Sequence, residues 1–256
     1  MSPVGAMIAK ELRSCFVSPV VYVVGAVFLL IVGLLAYLYI VFAGAQAIQL
    51  MQMQGGLAQI NLNDLVFRNL FASVRFVLLI ILPILTMRLF AEEKKLRTFE
   101  FLLTSPIGLN EIVAAKFMSV FLVFLGMLGL TGLIPLVLSL FSDFDWYPIF
   151  TGYLGLVLLG ALFLSVGVLA SALTENQVVA AFVSFGLLLF LWLLAGLGSL
   201  LGDGTAGHVI GYISFMEHYD HFVRGLIDST DLIYFFSALV LMLFLTHRVI
   251  DSTRWK

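Results

Sequence analysis

Apolar residues in this chain fall in long unbroken runs separated by short polar stretches. A bilayer's hydrocarbon core is about 30 Å thick and takes roughly 20 apolar helical residues to cross. Six runs reach or approach that size: Pro19 to about Phe42, about Ser73 to Phe90, Ile112 to Leu140, about Ile149 to Leu173, Val178 to Leu201, and Leu232 to about Ile250. Backbone groups in lipid must find partners within their own segment, and no run shows the alternation of a barrel strand. The pattern therefore predicts an all-α membrane protein with six transmembrane helices, residues 1–256 forming a single transmembrane domain.

The segments between the runs carry their own patterns. Ile8, Leu12, Cys15 and Phe16 recur at helical spacing, with Lys10, Arg13 and Ser14 opposite, which predicts an amphipathic helix at the membrane surface. Ser18-Pro19 supplies a cap and a first-turn proline that restart the chain as a new helix. Between the second and third runs, Glu92-Glu93-Lys94-Lys95-Leu96-Arg97 leads to Thr98, which can cap a short helix ended by Ser105-Pro106. Phe99, Leu102 and Leu103 lie on one side of that helix. It reads either as a loop folded on the membrane surface or as a docking knob for a soluble partner.

Thr174-Glu175-Asn176-Gln177 fits a capping box opening the fifth run. Before the sixth, Phe215, Tyr219, Phe222 and Leu226 share one helical face, and Glu217, His221, Arg224 and Asp228 the other. This predicts an amphipathic helix lying at, or dipping into, the outer interface, with Glu217 pairing His221 and Arg224 pairing Asp220 and Asp228.

Composition narrows the class. Apolar residues make up 62% of the chain and charged ones 11%, and mean hydropathy is +1.14. The chain holds 13 basic and 15 acidic residues; a soluble chain of this length would carry about 64 charged residues in all. A water-soluble globule and a disordered chain are both excluded. A net charge of −2 offers no basic excess for nucleic acid. Cys15 is the one cysteine, so no internal disulfide can form.

The few charges are sorted. Lys10, Arg13, Arg88, Lys94, Lys95, Arg97, Lys116, Arg248, Arg254 and Lys256 fall on one side of the six runs, leaving Arg68, Arg75 and Arg224 at or near the other. The positive-inside rule makes the basic side cytoplasmic, with both termini there. The first run, about 23 residues, exceeds the 7 to 15 of a secretory signal core and so reads as a span.

Candidate chemistry is sparse. His208, His218 and His221 could be imagined around a metal, but ion pairing on a helix face accounts for them, and no metal site is assigned. The motifs H-E-x-x-H and G-x-S-G are absent, and no lysine completes a phosphate loop, so the chain is expected to be neither a protease nor an ATPase. Every carboxylate falls in a connection or at a helix end, which disfavours a proton- or sodium-driven transporter. Arg75 stands inside the second run, either as an interfacial anchor or as a charge facing a pathway.

The stretch from Ala91 to Ile107, with Glu111-Ile112-Val113 and Lys116-Phe117, resembles ABC-2 type (type V) permeases of ATP-binding cassette transporters. These carry an acidic-basic cluster, then T-x-E-x-L-L-x-[ST]-P, E-I-[VL] and K-F. Ser171 to Gln177 is a second match, and His221 to Asp228 with Asp231 and Tyr234-Phe235 a third. The pattern is most similar to gliding-motility-associated permeases. Phe99 and Phe101 stand where aliphatic residues are commoner in the family.

The resemblance implies a fold with an N-terminal connecting helix, a cytoplasmic coupling helix over 98–105 and an outer helix before the last span. Glu92, Glu93, Arg97, Thr98, Phe99, Glu100, Leu102, Leu103, Ser105 and Pro106 would meet a separate cytoplasmic ABC ATPase. Phe215, Tyr219, Phe222, Arg224 and Asp228 would build the outer helix. No cofactor is expected in this chain, since ATP and Mg would sit on the ATPase. A second permease copy or a related membrane subunit would complete the pathway as a homo- or heterodimer, in a bacterial inner membrane. The function implied is that of an ATP-driven permease, in the exporting direction. The alternative is a membrane anchor that transmits force to an outer, periplasmic partner without moving substrate.

Overall fold

A computed structural model describes residues 3–54, 63–99, 108–200, 204 and 211–253. Every element among them is helical. In chain order these are α1 (Pro3–Val17), α2 (Pro19–Gln54), a π-helical turn (Asn63–Phe67) running into α3 (Arg68–Thr86), and α4 (Ala91–Lys95). Next come α5 (Leu109–Thr131), α6 (Leu133–Leu138), α7 (Trp146–Leu173), α8 (Gln177–Leu200), α9 (Phe215–Val223) and α10 (Ser229–Thr253). Among the described residues, six helical stretches are long and apolar enough to cross a membrane.

The helices form a bundle with two distinct ends. The elbow end gathers the α1–α2 junction, the break after α3, the start of α5 and the α7–α8 turn. The far end gathers the π turn, the start of α7, and α9. Ser18 divides α1 from α2 as its residue type dictates: Pro19 needs no N–H partner, and Val20 N–H donates to Ser18 Oγ at 3.3 Å.

Helix α7 is the axis of the bundle. Within its apolar window 83% of the residues are buried, against 17–22% for α2, α8 and α10. Apolar side chains cover all of its faces, as suits a helix enclosed on every side. Its glycines set the packing distance. A β-carbon at Gly152 would stand 2.3 Å from Phe71 of α3, one at Gly160 2.3 Å from Phe124 of α5, and one at Gly167 2.0 Å from Thr86 Oγ1 of α3. Helices approach this closely in lipid only across small residues.

Hydropathy alone misplaced some helix ends. Helix α2 continues past Phe42 through Gln46 and Gln49 to Gln54, a length of about 54 Å for a core of about 30 Å, so its far end stands clear of the apolar layer. The third run is interrupted: Gly132 ends α5, its N–H bonding Gly129 O at 3.0 Å, and α6 follows as a separate short turn.

Helix α9 packs its apolar face on protein. Phe215 meets Phe163 edge-on at 5.1 Å, whereas Gly225, just past the helix, lies beside Pro148. Those two α7 residues are separated by about 22 Å of helix, so α9 runs down along α7 into the bundle. Phe215, Tyr219 and Phe222 are fully buried, while Leu226, expected on the same face, is exposed because the chain has turned at Gly225.

Candidate functional site

The elbow end is built around one buried cation. Lys116, in the second turn of α5, is 1% exposed. Its Nζ donates to Leu89 O at 2.8 Å, Glu93 Oε1 at 2.8 Å and Glu11 Oε1 at 3.3 Å, and lies 5.2 Å from the centre of the Phe90 ring. An ammonium has three protons, and three oxygens receive them. A buried charge persists only when paired in this way. The trio ties α1, the segment after α3 and α5 into one body.

Beside it lies a cavity of about 280 Å³, bounded by Glu11, Cys15, Arg88, Glu92, Glu93 and Lys116. Glu93 Oε2 is buried there without a protein partner. Burial pushes the Cys15 thiol above its ordinary value, and the Glu11 carboxylate adds to the shift.

The break between α3 and α4 is closed from α7. Ser171 Oγ accepts from Phe90 N–H at 3.0 Å and Ala91 N–H at 3.2 Å, and donates to Met87 O at 2.9 Å. Lys94 Nζ donates to Ala172 O. One hydroxyl thus satisfies backbone groups that the helix break would leave orphaned. Helix α4 ends in a Schellman turn, with Arg97 N–H bonding Lys94 O at 3.1 Å and Thr98 N–H bonding Glu93 O at 3.0 Å. Arg97 sits in the left-handed region at φ 55°, where glycine is the usual occupant.

The residues expected to face a partner divide between the two sides of this elbow. Glu93 and Phe99 point inward, the first to Lys116 and the second, 6% exposed, edge-on to Phe90 at 6.2 Å. Phe99 therefore does not share a presented face, because the aromatic pocket of Phe90 and the Lys94 ammonium, 5.7 Å from its ring, hold it in the bundle. Glu92 pairs with Arg88 at 3.1 Å. The Thr98 hydroxyl donates back to Glu93 O at 3.3 Å. Glu100, Leu102, Leu103, Ser105 and Pro106 lie outside the described residues.

At the far end the expected ion pairs are exchanged for others. Arg75 Nη1 bonds Asp220 Oδ1 at 2.9 Å, and its guanidinium lies 5.3 Å from the centre of the Tyr219 ring. Tyr219 Oη donates to Phe71 O at 3.1 Å, and burial drives its phenol well above the ordinary range. Asp220 therefore does not serve Arg224. Nor does Asp228, which accepts from Thr230 N–H at 3.1 Å to cap α10; that bond chiefly holds its carboxyl below the usual carboxylate range.

His221 pairs with Asp231, at 2.9 Å from Nδ1 to Oδ2, instead of with Glu217. His218 takes the other oxygen, Nδ1 to Oδ1 at 2.6 Å, while its Nε2–H donates to Tyr212 O at 3.0 Å and its ring stacks on Tyr234 at 4.0 Å. Asp231, in the first turn of α10, is 2% exposed. Both histidines are engaged with this carboxylate, and no metal-holding group occurs among the described residues; His208 lies outside them. At the α7–α8 turn the cap is Asn176, whose side chain accepts from Val178 N–H at 2.9 Å, with Thr174 supporting it one step earlier.

Residues 6–249 match the family model described as ABC-2 family transporter protein. The chain belongs to the ABC-2 family. It is thus a multi-pass permease subunit of an ABC transporter, the non-catalytic transmembrane component that works with a separate ATP-binding subunit. A search among curated proteins finds no match.

For this permease, sequence reading named Lys116, Ser171 and Asp231 only as motif residues, without the contacts that organise the elbow and the far end, and it missed Glu11. Glu11 offered the clearest signal, an acidic residue one turn after Met7 and one before Cys15 on the apolar side of α1. Lys116 was the matching clue, a lysine one turn inside an apolar run.

Proposed function

We propose that this permease is the membrane subunit of an ATP-driven exporter in a bacterial inner membrane, of the type V, gliding-motility-associated kind, with the elbow end facing the cytoplasm. Segment 98–105 is its coupling helix and docks in a cytoplasmic ATPase that holds ATP and Mg. Two permease copies, or this chain and a related subunit, enclose the pathway, and Arg75 lies beside it.

The observation that carries the reading is the Lys116 clamp. The segment leading to residue 98 is bonded to α5 through Lys116, which in turn holds Glu11 of α1, and to α7 through Ser171. A push delivered at 98–105 reaches the bundle through these bonds without slack. Changing Glu100 or Leu102 to arginine is expected to weaken ATPase association in detergent and abolish ATP-dependent flux; unchanged association and flux would remove the coupling assignment.

A transmitter that moves no substrate is the second reading, favoured by the far end of α2, which projects beyond the apolar layer as a surface for an outer partner. Reconstituted vesicles separate the two. ATP-dependent flux supports the exporter, and partner-dependent ATPase activity without flux supports the transmitter.

A further inference from the structure

Two surface depressions lie on either side of the Ser18–Pro19 junction, one ending at Ser18 and the other beginning at Pro19, and their chemistry changes from cationic to apolar across it. On the α1 side is an open pocket of about 370 Å³ formed with Lys10, Arg13, Ser14, Ser18 and Arg88. On the α2 side is a groove of about 380 Å³ between α2 and α3, floored by Val24 and Ile81 and flanked by Val20, Val23, Val27 and Ile84. Its lining is almost wholly apolar, and Val23 and Val27 stand 61% and 45% exposed.

The charge of the pocket follows from the clamp beside it. Glu11 and Glu93 are turned inward and committed to Lys116, and Glu92 to Arg88. Lys10 and Arg13 are exposed and form no ion pair among the described residues. Sorting the carboxylates inward leaves two uncompensated cations and the edge of a third at the membrane surface. Two hydroxyls, Ser14 and Ser18, stand among them.

The groove has the dimensions of one leaflet. From Pro19 to Val27 is about 12 Å along the helix axis, close to the half-thickness of about 15 Å of a hydrocarbon core. A ligand filling both parts must be anionic at one end and apolar for about a leaflet's depth at the other. Free phosphate satisfies the first half only, and a zwitterionic lipid leaves the cations unneutralised.

We infer that the α1–α2 elbow holds an anionic phospholipid, its phosphate among Lys10, Arg13 and Arg88 and one acyl chain along the α2–α3 groove. The site is separate from the coupling segment and does not rest on the export reading. It would anchor α1 to the bilayer surface at the hinge where the Lys116 clamp begins.

The test is native mass spectrometry on the purified, delipidated full chain titrated with phosphatidylglycerol or phosphatidylcholine of matched chains. The wild type is expected to prefer phosphatidylglycerol. In Lys10→Gln/Arg13→Gln that preference falls on the order of tenfold. In Val23→Trp, which fills the groove, binding of both lipids weakens, while thermal unfolding of the variants stays near wild type. Equal binding of the two lipids by the wild type, or full preference retained in the double variant, would overturn the inference. So would inorganic phosphate displacing the lipid with Val23→Trp without effect, which would make this a phosphate site alone.

Discussion

Lys116 Nζ and Glu93 Oε1 lie 2.8 Å apart across a gap of 23 residues in sequence, the first in a membrane helix and the second in the charged connection before it. The pair makes the charged connection part of the bundle instead of a solvated loop. Removing one partner of a buried pair strands the other, at a cost of about 3–5 kcal/mol. Lys116→Met should therefore lower the thermal unfolding midpoint in detergent sharply. Adding Glu11→Gln and Glu93→Gln should restore much of the loss, and a triple variant no better than the single one would argue against the clamp.

Gly167 and Thr86 fix the approach of α3 to α7. An alanine at 167 would place its β-carbon 2.0 Å from Thr86 Oγ1, inside any tolerable contact. Overpacking of this kind costs about 1–3 kcal/mol. Gly167→Ala should destabilise the permease, and Thr86→Ala in the same chain should recover part of it, since contacting sites are not additive. The same change at Gly33, with no atom within 4 Å, should be nearly silent.

The Arg75–Asp220 pair is of a different kind. Arg75 is 11% exposed but Asp220 is 49% exposed, so solvent screens the contact and its worth is about 1 kcal/mol or less. Arg75→Gln and Asp220→Asn should each shift the unfolding midpoint only slightly, and the double variant should add little. A loss of flux in Arg75→Gln well beyond its stability change is what a side chain beside the pathway should show.

Cys15 gives a pH-dependent readout of the elbow. A thiol held above its ordinary value carries less thiolate at any given pH, so it reacts more slowly. Maleimide labelling at neutral pH should run well below the rate of a free cysteine. It should still be climbing where an ordinary thiol is fully ionised. A rate that levels off like that of a free thiol would show an open elbow.

Arg97 offers a test of local strain. A non-glycine residue in the left-handed region costs about 1 kcal/mol relative to glycine. Arg97→Gly should raise the unfolding midpoint slightly. If it lowers it, the side chain contributes contacts that outweigh its backbone cost.

The sequence determined the class of this protein and the six stretches apolar enough to cross a membrane, because hydropathy is a property of each residue summed along the chain. The Ser18-Pro19 junction was equally local, resting on a cap and a proline. The motif around Thr98 pointed to the family before any contact was known. The tertiary structure decided which charges meet. Glu11 and Lys116 are separated by 105 positions, and Arg75 and Asp220 by 145. Local spacing instead suggested Arg224 with Asp220, and Glu217 with His221. Spacing on one helix finds only neighbours three or four residues apart, whereas a buried charge takes whichever opposite charge the packing brings within reach. Helix α9 shows the same limit: its aromatic stripe was legible, but not that it would pack inside the bundle, where Gly155 of α7 leaves room for Phe222 and Tyr219.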